Sequence, residues 1–277
     1  MHTIVSWKVN FLIYSVIIMK YLGGKQRLGR HIAPILKSIV KKNPKYKSYI
    51  EPFCGALGVL RNMTDIKIPI YASDYHPDLI ALFQAVQQNN IQLPDFITED
   101  EYLHYKHNVK SPNAMKGFAG FGSSFGGRFF AAFAQKYLNG KKENFCLEAK
   151  RSLLRLQPTI QSVHFSCIDY RDIKPKKAII YCDPPYQYTK FPIKYRREVK
   201  KYDTFDNNEF WSYMREWSKN NIVIISETDA PSDFISFWDK EKTRSICQSQ
   251  KTRYKNTSQP KKVSERLFIH QSNLGLI

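Results

Sequence analysis

Five short runs of β-branched and apolar residues space this chain, and three of them close on an aspartate. They read YKSYIEPF from Tyr46, IPIYASD ending at Asp74, VHFSCID ending at Asp169, KAIIYCD ending at Asp183, and NIVIISE from Asn221. Between them lie apolar stripes at helical spacing: Leu28, Ile32, Ile35, Leu36, Ile39 and Val40, then Leu79, Leu82, Phe83 and Val86 behind Pro77, then Phe210, Met214 and Trp217. A pattern that changes from period two to period 3.6 and back, with a glycine loop after the first run, predicts a doubly wound α/β sheet. Pro77 opens the second helix, while Pro34 either kinks the first or marks its start. Asp206 and Glu209 have the spacing of a capping box ahead of the third stripe. The segments TRSICQ and ERLFIH are expected to form a closing hairpin, joined by a basic, polar connection over 248–263.

The alternation breaks between Ile91 and Pro158. No βα unit is legible there. Residues 117–130 are rich in Gly, Ser and Phe, and Ala149, Leu153 and Leu156 keep helical spacing, so an inserted, mostly helical section is expected. At the other end, Phe11 to Met19 (FLIYSVIIM) is too short to span a bilayer and lacks a small-residue cleavage site after it. Met19 runs directly into KYLGGK. Residues 1–18 are therefore expected to be an upstream extension from an earlier start codon. The competing readings are a strand or short helix packed on the domain, or a membrane anchor.

Charge narrows the partner. Lys plus Arg number 43 against 24 Asp plus Glu, a formal net charge of +19, in a chain that is 14% aromatic. Basic side chains that displace counterions from phosphates, interleaved with rings that stack, point to nucleic acid more than to an anionic membrane. Hydrophobic residues at 43% leave enough to bury a core, which excludes disorder over the whole length. Cys54, Cys146, Cys167, Cys182 and Cys247 are odd in number, widely spaced and free of C-x-x-C pairs, so neither a disulfide framework nor a metal site is expected, and a reducing cytoplasm fits best.

The sharpest chemical signal is Asp183-Pro184-Pro185-Tyr186, placed just past the apolar run IIYC, where open α/β sheets bind ligands. An exocyclic aromatic amine is a poor nucleophile because its lone pair is delocalised into the ring. A carboxylate and the Pro184 carbonyl can each accept one of its hydrogens and stabilise the positive charge that builds on nitrogen. Two prolines stiffen the loop, and Tyr186 offers a stacking face. The plainer reading is a rigid turn. A second signal is Glu51-Pro52-Phe53-Cys54-Gly55-Ala56-Leu57-Gly58, whose glycines allow close approach to a cofactor but miss the dinucleotide spacing G-x-G-x-x-G. Asp74 stands roughly twenty residues on, at the position from which an acid reaches ribose hydroxyls, or caps a helix. Asp169 suits an acceptor for an adenine amine, or a turn cap. Lys20-Tyr21-Leu22-Gly23-Gly24-Lys25 suits a carboxylate or phosphate and fails as a Walker loop.

In the order KYLGGK, EPFCGALG, ASD, insertion, DPPY, with SERLF near the end, the chain resembles the D12 class, or Dam-like, N6-adenine DNA methyltransferases. FGSSFGGRFF is similar to a stretch of their phage-borne branch. The likeness runs from about Met19 to Phe268. It implies a Rossmann-like S-adenosylmethionine-dependent methyltransferase sheet with helices on both faces. Residues 19–90 and 159–277 would be catalytic, and 91–158 an inserted target-recognition domain. It further implies that Tyr21 and Lys25 contact S-adenosylmethionine, Lys25 near the methionine carboxylate, and that Phe53 and Gly55 shape the cofactor loop. Asp74 would take the ribose hydroxyls, Asp169 the adenine amine, and Asp183 the catalytic pocket beside the cofactor. Tyr21 stands where many relatives have Trp.

Double-stranded DNA is the implied partner. Arg128 suits a phosphate or a base edge, Phe125 or Phe129 a wedge or stack, and Lys251, Arg253, Lys255, Lys261, Lys262 and Arg266 the DNA backbone; the alternatives are a packed glycine-rich loop and a solvated charge run. A cognate restriction endonuclease is the other partner of such an enzyme. The chain is expected to be a cytoplasmic monomer in a bacterial host or phage-infected cell. Two other functions compete: a methyltransferase for RNA adenine, cytosine N4 or protein glutamine, and a DNA-binding relative that has lost activity. Asp at 183, where Ser favours cytosine N4 and Asn favours glutamine, points to adenine.

Overall fold

A computed structural model describes residues 24–134, 137–138, 141–185, 205–243 and 262–277. In chain order these form α1 (Gln26–Lys42), β1 (Ser48–Glu51), β2 (Ile70–Asp74), α2 (Pro77–Gln87), α3 (Glu99–His107), α4 (Ala114–Gly117), β3 (Tyr137–Leu138), β4 (Lys141–Lys142), α5 (Phe145–Leu156), β5 (Val163–Cys167), β6 (Ala178–Cys182), α6 (Asn207–Ser218), β7 (Ile222–Glu227), β8 (Phe234–Thr243) and β9 (Lys262–His270). Seven strands make one sheet in the order β5-β2-β1-β6-β7-β9-β8, and β3 pairs with β4 apart from it. The first five strands of the sheet are parallel; β9 runs antiparallel to β7 and to β8.

Period-two alternation divides the strands between two helical layers. Tyr49, Ile179, Tyr181, Ile222, Ile224, Leu267 and Ile269 pack with Ile32, Leu36 and Ile39 of α1 and with Leu79, Leu82 and Phe83 of α2. Their neighbours Ile50, Ala178, Ile180, Cys182, Val223, Ile225 and Phe268 pack with Phe210, Met214 and Trp217 of α6. Both faces of the central strands are buried, which is why IIYC and IVII read as unbroken apolar runs. Helices do lie on both faces, and the three helical stripes predicted from spacing are the buried ones.

Pro34 lies inside α1, on its exposed side. Pro77 does open α2, behind an N-cap at His76. Asp206 caps α6 through the N–H groups of Asn208 and Glu209 at 2.8 and 3.1 Å, but Glu209 reaches out to Arg171 at 3.3 Å. The closing hairpin differs from expectation. Its first strand is β8, which starts at Phe234, and beyond Thr243 the segment TRSICQ lies outside the described residues. β8 escaped notice because it is an edge strand with a bulge between Ser236 and Trp238 and a charged second half, Asp239 to Lys242; it is held by long pairing with β9, which needs no apolar alternation.

Within 91–158 the described residues form α3, α4, a π turn at Phe118–Gly122 and α5, with the antiparallel pair β3–β4 between the last two. Phe118, Phe121, Phe130, Leu153 and Leu156 join the same apolar cluster as α1 and α2. Asp78 of α2, 1% exposed, accepts hydrogen bonds from Ser111 Oγ at 2.7 Å and Asn113 N at 2.8 Å, and so ties the section to the sheet layer.

Candidate active site

Strand order reverses at β1 and β6, since β2 lies on one side of β1 and β6 on the other. Loops leaving the carboxyl ends of such a pair diverge and open a crevice. The loop after β1 begins at Pro52 and carries Gly55 and Gly58, and β6 runs into Asp183-Pro184-Pro185, so the two strongest motifs, far apart in the chain, meet at one rim.

The glycine loop is held by backbone contacts. Gly55 (φ 44°) and Leu57 (φ 58°) are left-handed. Gly55 N–H donates to Asp74 Oδ2 at 3.1 Å, His76 N–H to Asp74 Oδ1 at 3.0 Å, and Cys54 N–H to the Ser73 carbonyl at 2.9 Å, which fastens the loop to the end of β2. On its other side the loop touches α1: a Cβ on Gly29 would lie 1.9 Å from the Gly58 carbonyl oxygen, and one on Gly58 would lie 2.9 Å from the Lys25 backbone. Only glycines permit that approach, and it places Lys25, the residue before α1, over the rim.

Lys25 Nζ lies 2.6 Å from Asp183 Oδ1 and 3.4 Å from Glu265 Oε1. Ser226 Oγ donates to Glu265 Oε1 at 2.6 Å. Strand parity explains the convergence. Asp183 continues the face of Ile179 and Tyr181, Glu51 that of Tyr49, and Glu265 precedes Leu267 and Ile269 on theirs; all three acids therefore stand on the α1 side. Glu265 has no exposure and Lys25 has 6%, whereas Asp183 keeps 19% and is the member of the cluster open to a ligand.

Burial dominates the electrostatics. It opposes the Lys25 charge, but Asp183 and Glu265 outweigh it and the ammonium titrates above the ordinary lysine value. Burial pushes Glu51 up to about 8, even though its carboxyl accepts the Tyr49 hydroxyl at 2.6 Å. Burial likewise raises Asp74 to about 6 against its backbone donors, and Glu227, at the end of β7, to about 7. Glu227 Oε2 is buried without a hydrogen-bond partner among the described residues.

Of the residues singled out from sequence, Lys25, Gly55, Asp74, Asp183, Pro184 and Pro185 lie along this rim. Phe53 packs against Tyr170, Phe205 and Phe210 with ring centroids 5.2, 6.1 and 5.9 Å away. Asp169 caps the turn Tyr170–Asp172 and holds the Arg171 guanidinium at 2.9 and 2.8 Å. Phe125 is 51% exposed and Arg128 is exposed, while Phe129 packs edge-on against His76 at 4.3 Å. Tyr21, Tyr186, Lys251, Arg253 and Lys255 lie outside the described residues. Among the described residues no group of three His, Cys, Asp or Glu is arranged to hold a metal, and no helix is long and apolar enough to cross a membrane. Sequence reasoning passed over Glu265, Ser226 and Glu227. A charged residue two places before Leu267, on an inward position of ERLFIH, was the available sign.

The family model for D12 class N6 adenine-specific DNA methyltransferases matches residues 21–129. Proteins named DNA adenine methylase from Salmonella typhi and from Salmonella typhimurium strain LT2 are each 25% identical to the chain over 295 aligned residues, which cover 93% of it and 96% of each relative. The matched stretch contains Lys25, the glycine loop and Asp74. Residues 21–129 thus match the D12 class N6 adenine-specific DNA methyltransferase model, as the motifs implied, in a chain that is similar along nearly its whole length to proteins named DNA adenine methylase.

Proposed function

We propose that this protein transfers a methyl group from S-adenosylmethionine to the N6 amine of adenine in a specific sequence of duplex DNA. The observation that carries the reading is Asp183: a partly exposed carboxylate at the topological switch point, fixed by a buried lysine and followed by two prolines. The site fits the cofactor by its chemistry. Among the described residues Lys25 faces Asp183 and Glu265, with Glu227 beside them, and this surplus of acidic groups suits a sulfonium cation. The Gly55 loop and Asp74 would hold the nucleoside end and Lys25 the methionine end, with Tyr21, Phe53 and Asp169 as further contacts. S-adenosylmethionine supplies an electrophilic methyl carbon.

The chain's own residues do the rest. Asp183 and the Pro184 carbonyl accept the two N6 hydrogens, which orients the nitrogen lone pair and stabilises the charge that develops there. Lys25 holds Asp183 in one rotamer. The stiff Pro184-Pro185 loop keeps both acceptors in place before the substrate arrives, and Tyr186 stacks on the base. Asp183 is 19% exposed at the carboxyl end of β6, which fits a target adenine turned out of the helix.

The net charge of +19 supports a polyanionic substrate. Residues 91–158, with Arg128 and Phe125 exposed, are assigned to target recognition, and Lys251, Arg253 and Lys255 to the DNA backbone; 19–90 and 159–277 form the catalytic domain. The test offers labelled S-adenosylmethionine with duplex DNA, RNA and protein side by side, followed by long-read sequencing of the DNA. Label is expected in duplex DNA on adenine. Asp183→Ala should abolish transfer while cofactor binding is at most weakened. Wild-type turnover by that variant, or label confined to RNA or protein, would overturn the reading.

A further inference from the structure

The segment SERLF contributes a residue for which the reaction above has no use: Glu265, a carboxylate with no solvent exposure inside β9. We infer that Glu265 is a positioning residue that acts through Lys25 on Asp183. This inference rests on the reading of Asp183 as the amine acceptor. Glu265 Oε1 is held by Ser226 Oγ at 2.6 Å and lies 3.4 Å from Lys25 Nζ, which in turn lies 2.6 Å from Asp183 Oδ1. One ammonium is thus shared between two carboxylates. A buried ammonium held by Asp183 alone would concentrate its charge on the oxygen that must accept an amine hydrogen, and would weaken that acceptor. Drawn partly toward Glu265, Lys25 still fixes the Asp183 rotamer while leaving it a strong acceptor. A fully buried carboxylate that served only to fill space would be replaceable by a neutral isostere at no loss.

Among the described residues the other titratable groups that influence the pair include Glu51 on β1, Tyr181 and Cys182 on β6 and Glu227 on β7. All of them are unchanged in the variants used.

The test is a double-mutant cycle on the full chain with Glu265→Gln, Lys25→Met and the pair. Glutamine keeps the size of the side chain and an acceptor for Ser226, so a role limited to filling space would leave it silent. Two readouts are taken: kcat for duplex DNA against pH, and urea unfolding of the ligand-free protein at pH 7. For Glu265→Gln we expect kcat to fall about tenfold, little change in cofactor affinity, and the acid limb of the kcat profile to move to lower pH. The limb moves that way because removing one negative charge and loosening the pull of Glu265 on Lys25 both favour ionised Asp183. In the Lys25→Met background the same substitution should change kcat less than about twofold, and the unfolding energies should be non-additive. Wild-type kcat and an unmoved acid limb in Glu265→Gln, or additive effects in the cycle, overturn the inference. Should the wild-type protein transfer no methyl group, the functional reading fails, and the stability cycle alone decides whether Glu265 and Lys25 are coupled. Should Lys25→Met fail to fold, the pH profile of Glu265→Gln decides.

Discussion

Replacing Glu51 by glutamine isolates one buried proton. Glu51 ends β1, is 2% exposed, and accepts hydrogen bonds from the Tyr49 hydroxyl and the Leu60 N–H. Burial lifts its pKa from 4.5 to about 8. The folded protein therefore binds this proton more tightly than the unfolded chain does. The resulting stabilisation is complete below pH 4.5 and is lost as pH rises through about 8. At 1.36 kcal/mol per unit, the loss reaches about 3 kcal/mol at pH 7 and about 5 kcal/mol by pH 9. Glutamine has nearly the same shape, still accepts from Tyr49, and has nothing to titrate. Urea unfolding of wild type and Glu51→Gln at pH 5, 7 and 9 reads the difference directly. Asp74, raised to about 6, and Glu227, raised to about 7, titrate in both proteins and cancel. The curves should nearly coincide at pH 5, and the variant should gain on wild type by several kcal/mol as pH rises to 9. A stability difference that is the same at all three pH values would refute the assignment of a buried, protonated carboxyl at this position.

The close approach of α1 to the glycine loop predicts a second effect. In Gly29→Ala the new methyl meets the Gly58 carbonyl oxygen at 1.9 Å, so the helix must shift. Overpacking of this kind costs roughly 1–3 kcal/mol, and moving Lys25 off the rim should weaken cofactor binding as well; calorimetry of the variant with an unchanged Tm and Kd would show the contact to be soft. Arg128, exposed in the central section, should on replacement by alanine leave stability within about 0.5 kcal/mol and reduce the salt slope of duplex binding by about 1 if it meets a phosphate. An unaltered slope and affinity would remove Arg128 from the interface.

The order of elements was legible in the chain because each element's inward face is a local property. Ile32, Leu36 and Ile39 recur at the helical repeat, and IIYC and IVII are apolar throughout because strands buried on both faces need no alternation. The glycine loop and Asp183-Pro184 were legible because their chemistry is written in adjacent residues. That the strand order reverses between β1 and β6, so that the two loops meet, is a property of the assembled sheet.

Other features were decided only in three dimensions. β8 depends on pairing with β9 and carries no apolar period of its own. The phenylalanines of 117–130 divide into buried Phe118, Phe121 and Phe130, partly buried Phe129 and exposed Phe125, a division set by α3, α5 and His76 packed around them and not by their own spacing. Lys25 and Asp183 are 158 residues apart and form an ion pair because Gly29 lets α1 settle on the Gly58 loop. Periodicity fixes which way a side chain points from its own element; which charge waits on the other side depends on how the elements pack, and Glu265 entered the site by that route alone.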